Sequence, residues 1–341
     1  MKNVTIRDIA NKAGVSETTV SLSFQPNSRI SHSTREKVLQ IAQDMRYVRN
    51  TAAQNLRGGR TKTIGFIVND INNSFYNTMS RVAANIANKH GFQIIYAETE
   101  WDPEKAIEVT KNMLAKRVEG LMLSLSEKEE VSLELIRHTK TPFVVIDTIP
   151  QSYKGPYVIN NEIAIGRIAG EHLTKLGCKK IAFFNASKKM SSFSAFTLQL
   201  QGLKISLDTA GIFFSTEDVY YSGLTMKEGA IAFRDLLKTK GNIYDGILCA
   251  NDYVAYGIMD EAERNGISIG KDLALIGIDN LEFSALDRIS LTSIDIDYQL
   301  MTSIAISNLI NSIENNIESS IGKILEPKLI ERGSTQDFIK L

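Results

Sequence analysis

The chain has 341 residues, 43% of them apolar and 23% charged: too long for one ordinary domain, and apolar enough for more than one core. No apolar run nears the roughly 20 residues that span a bilayer, the start MKNVTIRD has no signal-like apolar segment, and two distant cysteines, Cys178 and Cys249, suit a reducing compartment and offer no metal spacing. The net charge of zero hides a split, with eleven basic and four acidic side chains over residues 1–62 and 28 against 35 over the rest, and a basic head on an acidic body is an electrostatic footprint for nucleic acid.

Along the chain, Ile6, Ile9, Ala10 and Ala13 recur at helical spacing and Gly14 follows as a turn residue. Ser16 is the expected cap of a second helix with Val20 and Phe24 on its inner face. The run SHSTREKVLQIAQDMRYV reads as a third helix, capped by Ser31 or Ser33, with Val38, Ile41, Ala42 and Met45 inward. A short fourth pattern, NTAAQNLRGG, ends at Gly58 and Gly59.

From Thr63 the texture changes. The β-rich runs TIGFIV, FQIIYA, VEGLML, FVVID, KIAFFN, DGILCA and LALIGI alternate with helical patterns at roughly 74–90, 103–116, 129–139, 161–176, 194–210, 225–239 and 252–265. EPKLIERGST looks like one more strand. Such alternation predicts parallel sheets with helices on both faces. Some eleven strand candidates are many for one sheet, so two α/β lobes are expected, with sites at the carboxyl ends of strands. There is no Gly-x-Gly-x-x-Gly, Walker loop or His-Glu-x-x-His. The histidines, His32, His90, His138 and His172, have no evident Ser or Cys partner, which argues against an enzyme. A solute-binding module fits the core alone, but it needs export, and the basic head speaks against it.

VTIRDIANKAGVSETTVS closely resembles the helix-turn-helix of the lactose-repressor (LacI/GalR) family of bacterial transcription regulators. The resemblance continues through ISHSTREKVLQIAQDMRY, AAQNLRGGRTKTIGFIVNDINNSFY, HLTKLGCKKIAFF, CANDYVAYG, LALIGIDN and PKLIERGST, in register over nearly the whole chain. It implies an α/β protein: an all-α helix-turn-helix head, a hinge helix, and a two-lobed core like the periplasmic binding proteins, of parallel sheets flanked by helices. The expected parts are a DNA-binding domain at 1–48, a hinge at 49–61 and a ligand-binding and dimerisation core at 62–341. In that core the N-lobe takes about 62–160 plus 291–323 and the C-lobe about 161–290 plus 324–338. The implied function is a cytoplasmic, homodimeric repressor of a metabolic operon, bound to palindromic operator DNA and controlled by a small-molecule effector, a sugar or related metabolite, between the lobes. No metal, cofactor or membrane partner is implied. No leucine heptad follows ERGST, so a dimer is expected rather than a tetramer.

In a helix-turn-helix the second helix presents its outer face to base edges. With Val20 and Phe24 inward, that face is Glu17, Thr18, Ser21 and Leu22. Ser16, Thr19 and Ser31 are expected at the DNA backbone, where contacts set register without reading sequence, the amides at the Ser16 end suit a phosphate, and Thr5 is expected among the DNA-binding residues. Relatives commonly carry arginine at position 22, which can bind guanine in bidentate fashion; Leu22 can only pack on a thymine methyl or join the helix packing. In the hinge, Leu56 matches the family residue that wedges into the minor groove, with Asn50 and Ala53 on its face and Arg57 near phosphate.

For the effector, the resemblance brings in Ser74 and Phe75 at a helix start, Asp147 after FVVID, Asn160 where many relatives have aspartate, Asn251 in CAND and Asp279 in GIDN. Asp252 and Asn280 beside the last two read equally well as turn formers or caps. Gln199 stands where relatives often carry an arginine, and Leu224 where they often carry an aromatic. Both changes remove groups that typically fix a sugar or base, so the expected pocket takes a different ligand, a less polar one, or none.

Overall fold

Each of the first three helices starts on a hydroxyl side chain. Thr5 caps α1 (Ile6–Ala13) in a capping box, its Oγ1 accepting from the Asp8 amide at 3.3 Å while the Asp8 carboxylate accepts from the Thr5 amide at 2.8 Å. Gly14, at φ +70°, ends that helix in the left-handed conformation that favours glycine. Ser16 caps α2 (Glu17–Ser23) through the Thr19 amide at 3.1 Å, and Ser31, not Ser33, caps α3 (His32–Asp44) through the Thr34 amide at 3.2 Å. Ile9, Ala10, Ala13, Val20, Val38 and Ala42 form the small core between them.

This computed structural model describes residues 4–25, 28–48, 60–71, 74–124, 130–147, 149, 153–188, 190, 194–336 and 338. The chain divides into two units, Met1–Thr61 and Lys62–Leu341. The expected hinge residues Asn50, Ala53, Leu56 and Arg57 lie outside the described residues.

The second unit runs β1 (Thr63–Val68), α4 (Ser74–Lys89), β2 (Gln93–Glu98), α5 (Pro103–Ala115), β3 (Gly120–Ser124), α6 (Glu130–Thr139), β4 (Phe143–Asp147) and β5 (Tyr157–Asn160). Next come α7 (Glu162–Lys175), β6 (Ile181–Asn185), α8 (Ser194–Thr209), β7 (Val219–Tyr221), α9 (Met226–Lys240), β8 (Gly246–Cys249), α10 (Asp252–Arg264) and β9 (Ala274–Ile278). It closes with β10 (Thr292–Asp295), α11 (Tyr298–Asn315), β11 (Gly322–Leu325), β12 (Lys328–Ile330) and α12 (Gly333–Gln336). Two six-stranded sheets result, ordered β11-β5-β4-β3-β1-β2 and β12-β10-β9-β8-β6-β7. All pairings are parallel except β10 with β12. Every residue of β3 and β6 is buried, as expected for parallel strands covered on both faces.

Three features differ from the sequence expectation. β10 pairs with β9 in the second sheet, so the chain returns to the first lobe after Asp295 rather than near 291. Its residues are polar yet buried because they are paired: the Thr292 amide donates to Ser334 Oγ at 2.8 Å and Ser293 Oγ donates to Asp252 Oδ1 at 2.6 Å. β11 pairs with β5 in the first sheet, so the last crossing falls after Leu325 rather than near 323. The 18-residue α11 was not among the expected helices. Its buried positions, among them Tyr298, Met301, Thr302, Ala305, Ile306, Leu309 and Ile310, recur at three- and four-residue spacing on one face, while Leu300 and Ile304 put apolar side chains off that face and blur the pattern in the sequence.

Where α7 meets α8 the backbones touch. A Cβ on Gly166 would stand 1.8 Å from the Gln199 carbonyl oxygen, and one on Gly202 would stand 2.0 Å from that of Ile163. Backbone cannot yield as a flexible side chain does. Gly202→Ala is therefore expected to cost about 3 kcal/mol or more, read by urea unfolding of the full chain; a loss under about 1 kcal/mol would show that the helices part without strain.

Candidate functional site

In the head, Thr5, Ser16, Glu17, Thr18 and Ser31 are exposed and Thr19, Ser21 and Leu22 are half-buried. Leu22 is not a member of the head's apolar cluster, whose partly buried members include Val4, Ile6, Val15, Phe24 and Tyr47. The outer row of α2 thus ends in a half-buried apolar side chain that is not a member of that cluster. Ser16 and Thr19 bond to each other through their hydroxyls at 2.9 Å, which fixes both at the helix start. Arg7, Lys12, Arg29, Lys37 and Arg46 are exposed, whereas Arg35 is half-buried and holds the Gln25 carbonyl at 2.7 Å and Ser28 Oγ at 2.6 Å.

In the core, strand ends of both sheets converge on a cavity of about 60 Å³. Six of the expected effector residues line it: Phe75, Asp147, Gln199, Leu224, Asn251 and Asp279. Asn160 is buried but not in the lining, and the Ser74 side chain is outside the described residues. The lining also holds Trp101, Glu162, Phe196 and Tyr298, which sequence reasoning missed. Glu162 carried a readable signal, being an acid in the first turn of a helix that directly follows a strand. Trp101, the single tryptophan of the chain, follows β2.

Asp147 ends β4 and Asp279 directly follows β9, at φ +75° and +102°, conformations that cost a non-glycine residue about 1 kcal/mol or more. Asp147 accepts from Ser124 Oγ at 3.2 Å, and Ser124 Oγ also accepts from Tyr76 and Asn69 at 3.0 and 3.1 Å. Asp279 accepts from the Tyr298 hydroxyl at 2.6 Å. Glu162 accepts from Gln199 Nε2 at 2.8 Å. Phe75 lies stacked on Tyr298, centroids 4.8 Å apart. Asn251 caps α10 and donates to the Leu224 carbonyl at 3.0 Å, so its amide serves structure first.

The three acids share one desolvated space. Burial, then the charge of Asp147, pushes Glu162 up to about 8. Burial pushes Asp147 up to about 6 against the restraining hydroxyls of Ser124 and Tyr76. Asp279 is pushed well up by burial and by the charges of Asp252, Asp147 and Glu162, with the Tyr298 hydrogen bond opposing. Asp252 is a structural acid: it accepts from Ser284, Ser293 and the Leu281 amide at 2.6, 2.6 and 2.7 Å. Asn280 likewise bonds Arg332 at 2.6 Å and Asp295 at 2.9 Å. A larger depression, about 690 Å³, lies around Met259, Glu263 and Arg288 and shares no residue with the cleft.

Residues 5–50 match the bacterial regulatory proteins of the lacI family, and residues 171–335 match a periplasmic binding protein-like domain. The chain is 32% identical over 297 residues to catabolite control protein A of Staphylococcus aureus (strain Mu50 / ATCC 700699), covering 85% of this chain and 87% of that one. It is 28% identical over 330 residues to the HTH-type transcriptional regulator RegA of Clostridium saccharobutylicum, covering 97% and 98%. Among solved structures it matches the Lac repressor dimer bound to operator and the anti-inducer ONPF, with a TM-score of 0.85 at 25% identity over 98% of this chain and 99% of that one.

A carboxyl group raised by folding stabilises the fold in full below its unfolded value and loses that contribution as pH rises through its folded value. For Glu162 the window runs from about 4.5 to about 8. Between pH 5 and 9 the stability of the native chain should therefore fall relative to Glu162→Gln, by an amount on the order of 3 kcal/mol. Denaturant curves of both proteins across that range measure it; parallel pH profiles would place Glu162 in contact with water.

Proposed function

We propose a function from one premise: this chain belongs to the lacI family of bacterial regulatory proteins. It is a DNA-binding transcriptional regulator with a periplasmic-binding-protein-like core, and not an enzyme. On that basis we read it as a cytoplasmic homodimer that represses a metabolic operon from a palindromic operator and is released or engaged by a small molecule in the cleft.

The observation that carries this reading is the outer row of α2, Glu17, Thr18, Ser21 and Leu22, which has no part in the head's apolar cluster. Side chains on the outer face of a second helix of this kind are available to base edges. Thr5, Ser16, Thr19 and Ser31, held at helix starts, serve the phosphates. By sequence, Leu56 is the minor-groove wedge, with Asn50 and Ala53 on its face and Arg57 near phosphate. A single head has a short reach, and pairing two on a palindrome multiplies affinity; the Lac repressor dimer bound to operator is the solved precedent. Phe75, Asp147, Gln199, Leu224, Asn251 and Asp279 are proposed as effector contacts, with Ser74 and Asn160 retained on sequence alone. An effector can shift DNA binding only by binding two states of the core unequally. The cytoplasmic reading rests on two buried free cysteines and on the family; no helix among the described residues is long and apolar enough to cross a membrane.

Gel shifts on selected genomic fragments test this. Binding to a palindromic site should weaken about a thousandfold between 50 and 200 mM salt, and no salt-sensitive specific shift would end the proposal. Leu22→Arg should move the selected half-site toward guanine at one position. An unchanged half-site would remove Leu22 from readout.

A further inference from the structure

We propose that the cleft ligand is a small organic ammonium ion, an amine of the amino-alcohol class, because Glu162, Asp147, Asp279 and an unpartnered Gln199 carbonyl face one cavity whose described lining holds no lysine, arginine or histidine. The inference rests on the reading of the cleft as the effector site and names what that site selects.

The side-chain hydrogen bonds of the lining leave acceptors over. The Tyr298 hydroxyl is engaged with Asp279 Oδ1, Gln199 Nε2 with Glu162 Oε2, and Asn251 Nδ2 with the Leu224 carbonyl. Gln199 is 4% exposed and its Oε1 has no partner. No hydrogen bond within the described residues reaches Glu162 Oε1 or Asp279 Oδ2. A buried acceptor left empty costs about 1–3 kcal/mol, so this cavity calls for donors. A neutral sugar offers donors and acceptors together. An ammonium group offers three donors, no acceptor, and the positive charge that three acids in a dry space lack. The Phe75–Tyr298 stack and the Trp101–Phe196 pair, centroids 4.8 and 6.4 Å apart, add ring faces that attract a cation.

Size and geometry narrow the class. About 60 Å³ holds roughly four waters, which suits a small amine in the present conformation. No group of three or more His, Cys, Asp or Glu among the described residues is arranged to hold a metal ion, so a single metal ion does not answer all three acids. An extended molecule with its charge at one end and hydroxyls beyond spans them. The raised affinity of Glu162 and Asp279 for protons has the same origin, since a proton is the cation these acids take when no other is present.

The test pairs amines with neutral counterparts on the full-length protein: ethanolamine against ethylene glycol, and 3-amino-1-propanol against 1,3-propanediol, by calorimetry and thermal melting at pH 7. At least one amine should bind, and at least tenfold more tightly than its neutral partner. Glu162→Gln should weaken that binding at least tenfold. Gln199→Arg, which supplies the positive charge from the protein, should abolish it, each variant being checked for a cooperative melt. A polyol that binds as well as its amine overturns the ammonium proposal and leaves the effector reading standing. Amine binding unaltered in both variants places it elsewhere and overturns the proposal, as does no response to any of the four. An operator complex that also ignores a low-molecular-weight cell extract overturns the effector reading itself.

Discussion

The core depends on two places where helices approach until backbone meets backbone. In α7 and α8 the contact is reciprocal, Gly166 against the Gln199 carbonyl and Gly202 against that of Ile163. In α9 and α10 it is reciprocal again: a Cβ on Gly257 would stand 2.0 Å from the Met226 carbonyl oxygen, and one on Gly229 2.6 Å from that of Val254. Each close approach delivers one contact to the cleft. The first brings Gln199 onto Glu162, and the second brings the Asn251 amide onto the Leu224 carbonyl. Wider axes would leave both side chains short of their partners.

The two sheets follow one plan, and the site gathers at equivalent points of it. β4 and β9 each stand third in their sheet, and an aspartate with positive φ ends the first and directly follows the second. Local strain and desolvated charge therefore collect where the two lobes meet. One apolar cluster runs from Ile64 and Phe66 of the first sheet through Phe75 and Tyr298 to Ile276 and Ile294 of the second, and supports them from beneath. Burial that favours folding thus sits directly against carboxyl groups that oppose it.

Much of this was readable in the sequence, for physical reasons. TIGFIV, FVVID and LALIGI are buried on both faces and read as unbroken apolar runs, and the expected core helices carry one apolar stripe each, so their bounds fall within a residue or so of those found. The stripe of α11 is blurred by Leu300 and Ile304 off its buried face, and β10 hid behind the polar residues Thr292 and Ser293, whose partners Ser334 and Asp252 lie far along the chain. In the cleft, Asp147 and Asp279 could be placed because they stand at strand ends. Trp101, Phe196 and Tyr298 come from a loop and helix starts, whose direction only tertiary packing fixes. Asn160 and Glu162 are two residues apart, and the one that lines the cavity is the acid after the strand, not the amide within it. In the head, the inward positions Val20 and Phe24 were readable from their four-residue spacing, and Val20 is buried in the small core with Phe24 packed against it.

The chain passes between the lobes three times, after Asn160, after Asp295 and after Leu325. The first and third passages are tied together, since Asn161 Nδ2 donates to both oxygens of the Glu326 carboxylate at 3.0 and 3.2 Å. The second runs straight into Tyr298, which the cleft uses. Bodies joined by three neighbouring straps cannot slide or twist freely past each other; they fold about the line of the straps, like a book about its spine. Whatever occupies the cleft therefore acts near the axis of that motion, where a small change in fit becomes a large displacement at the outer edges of the lobes.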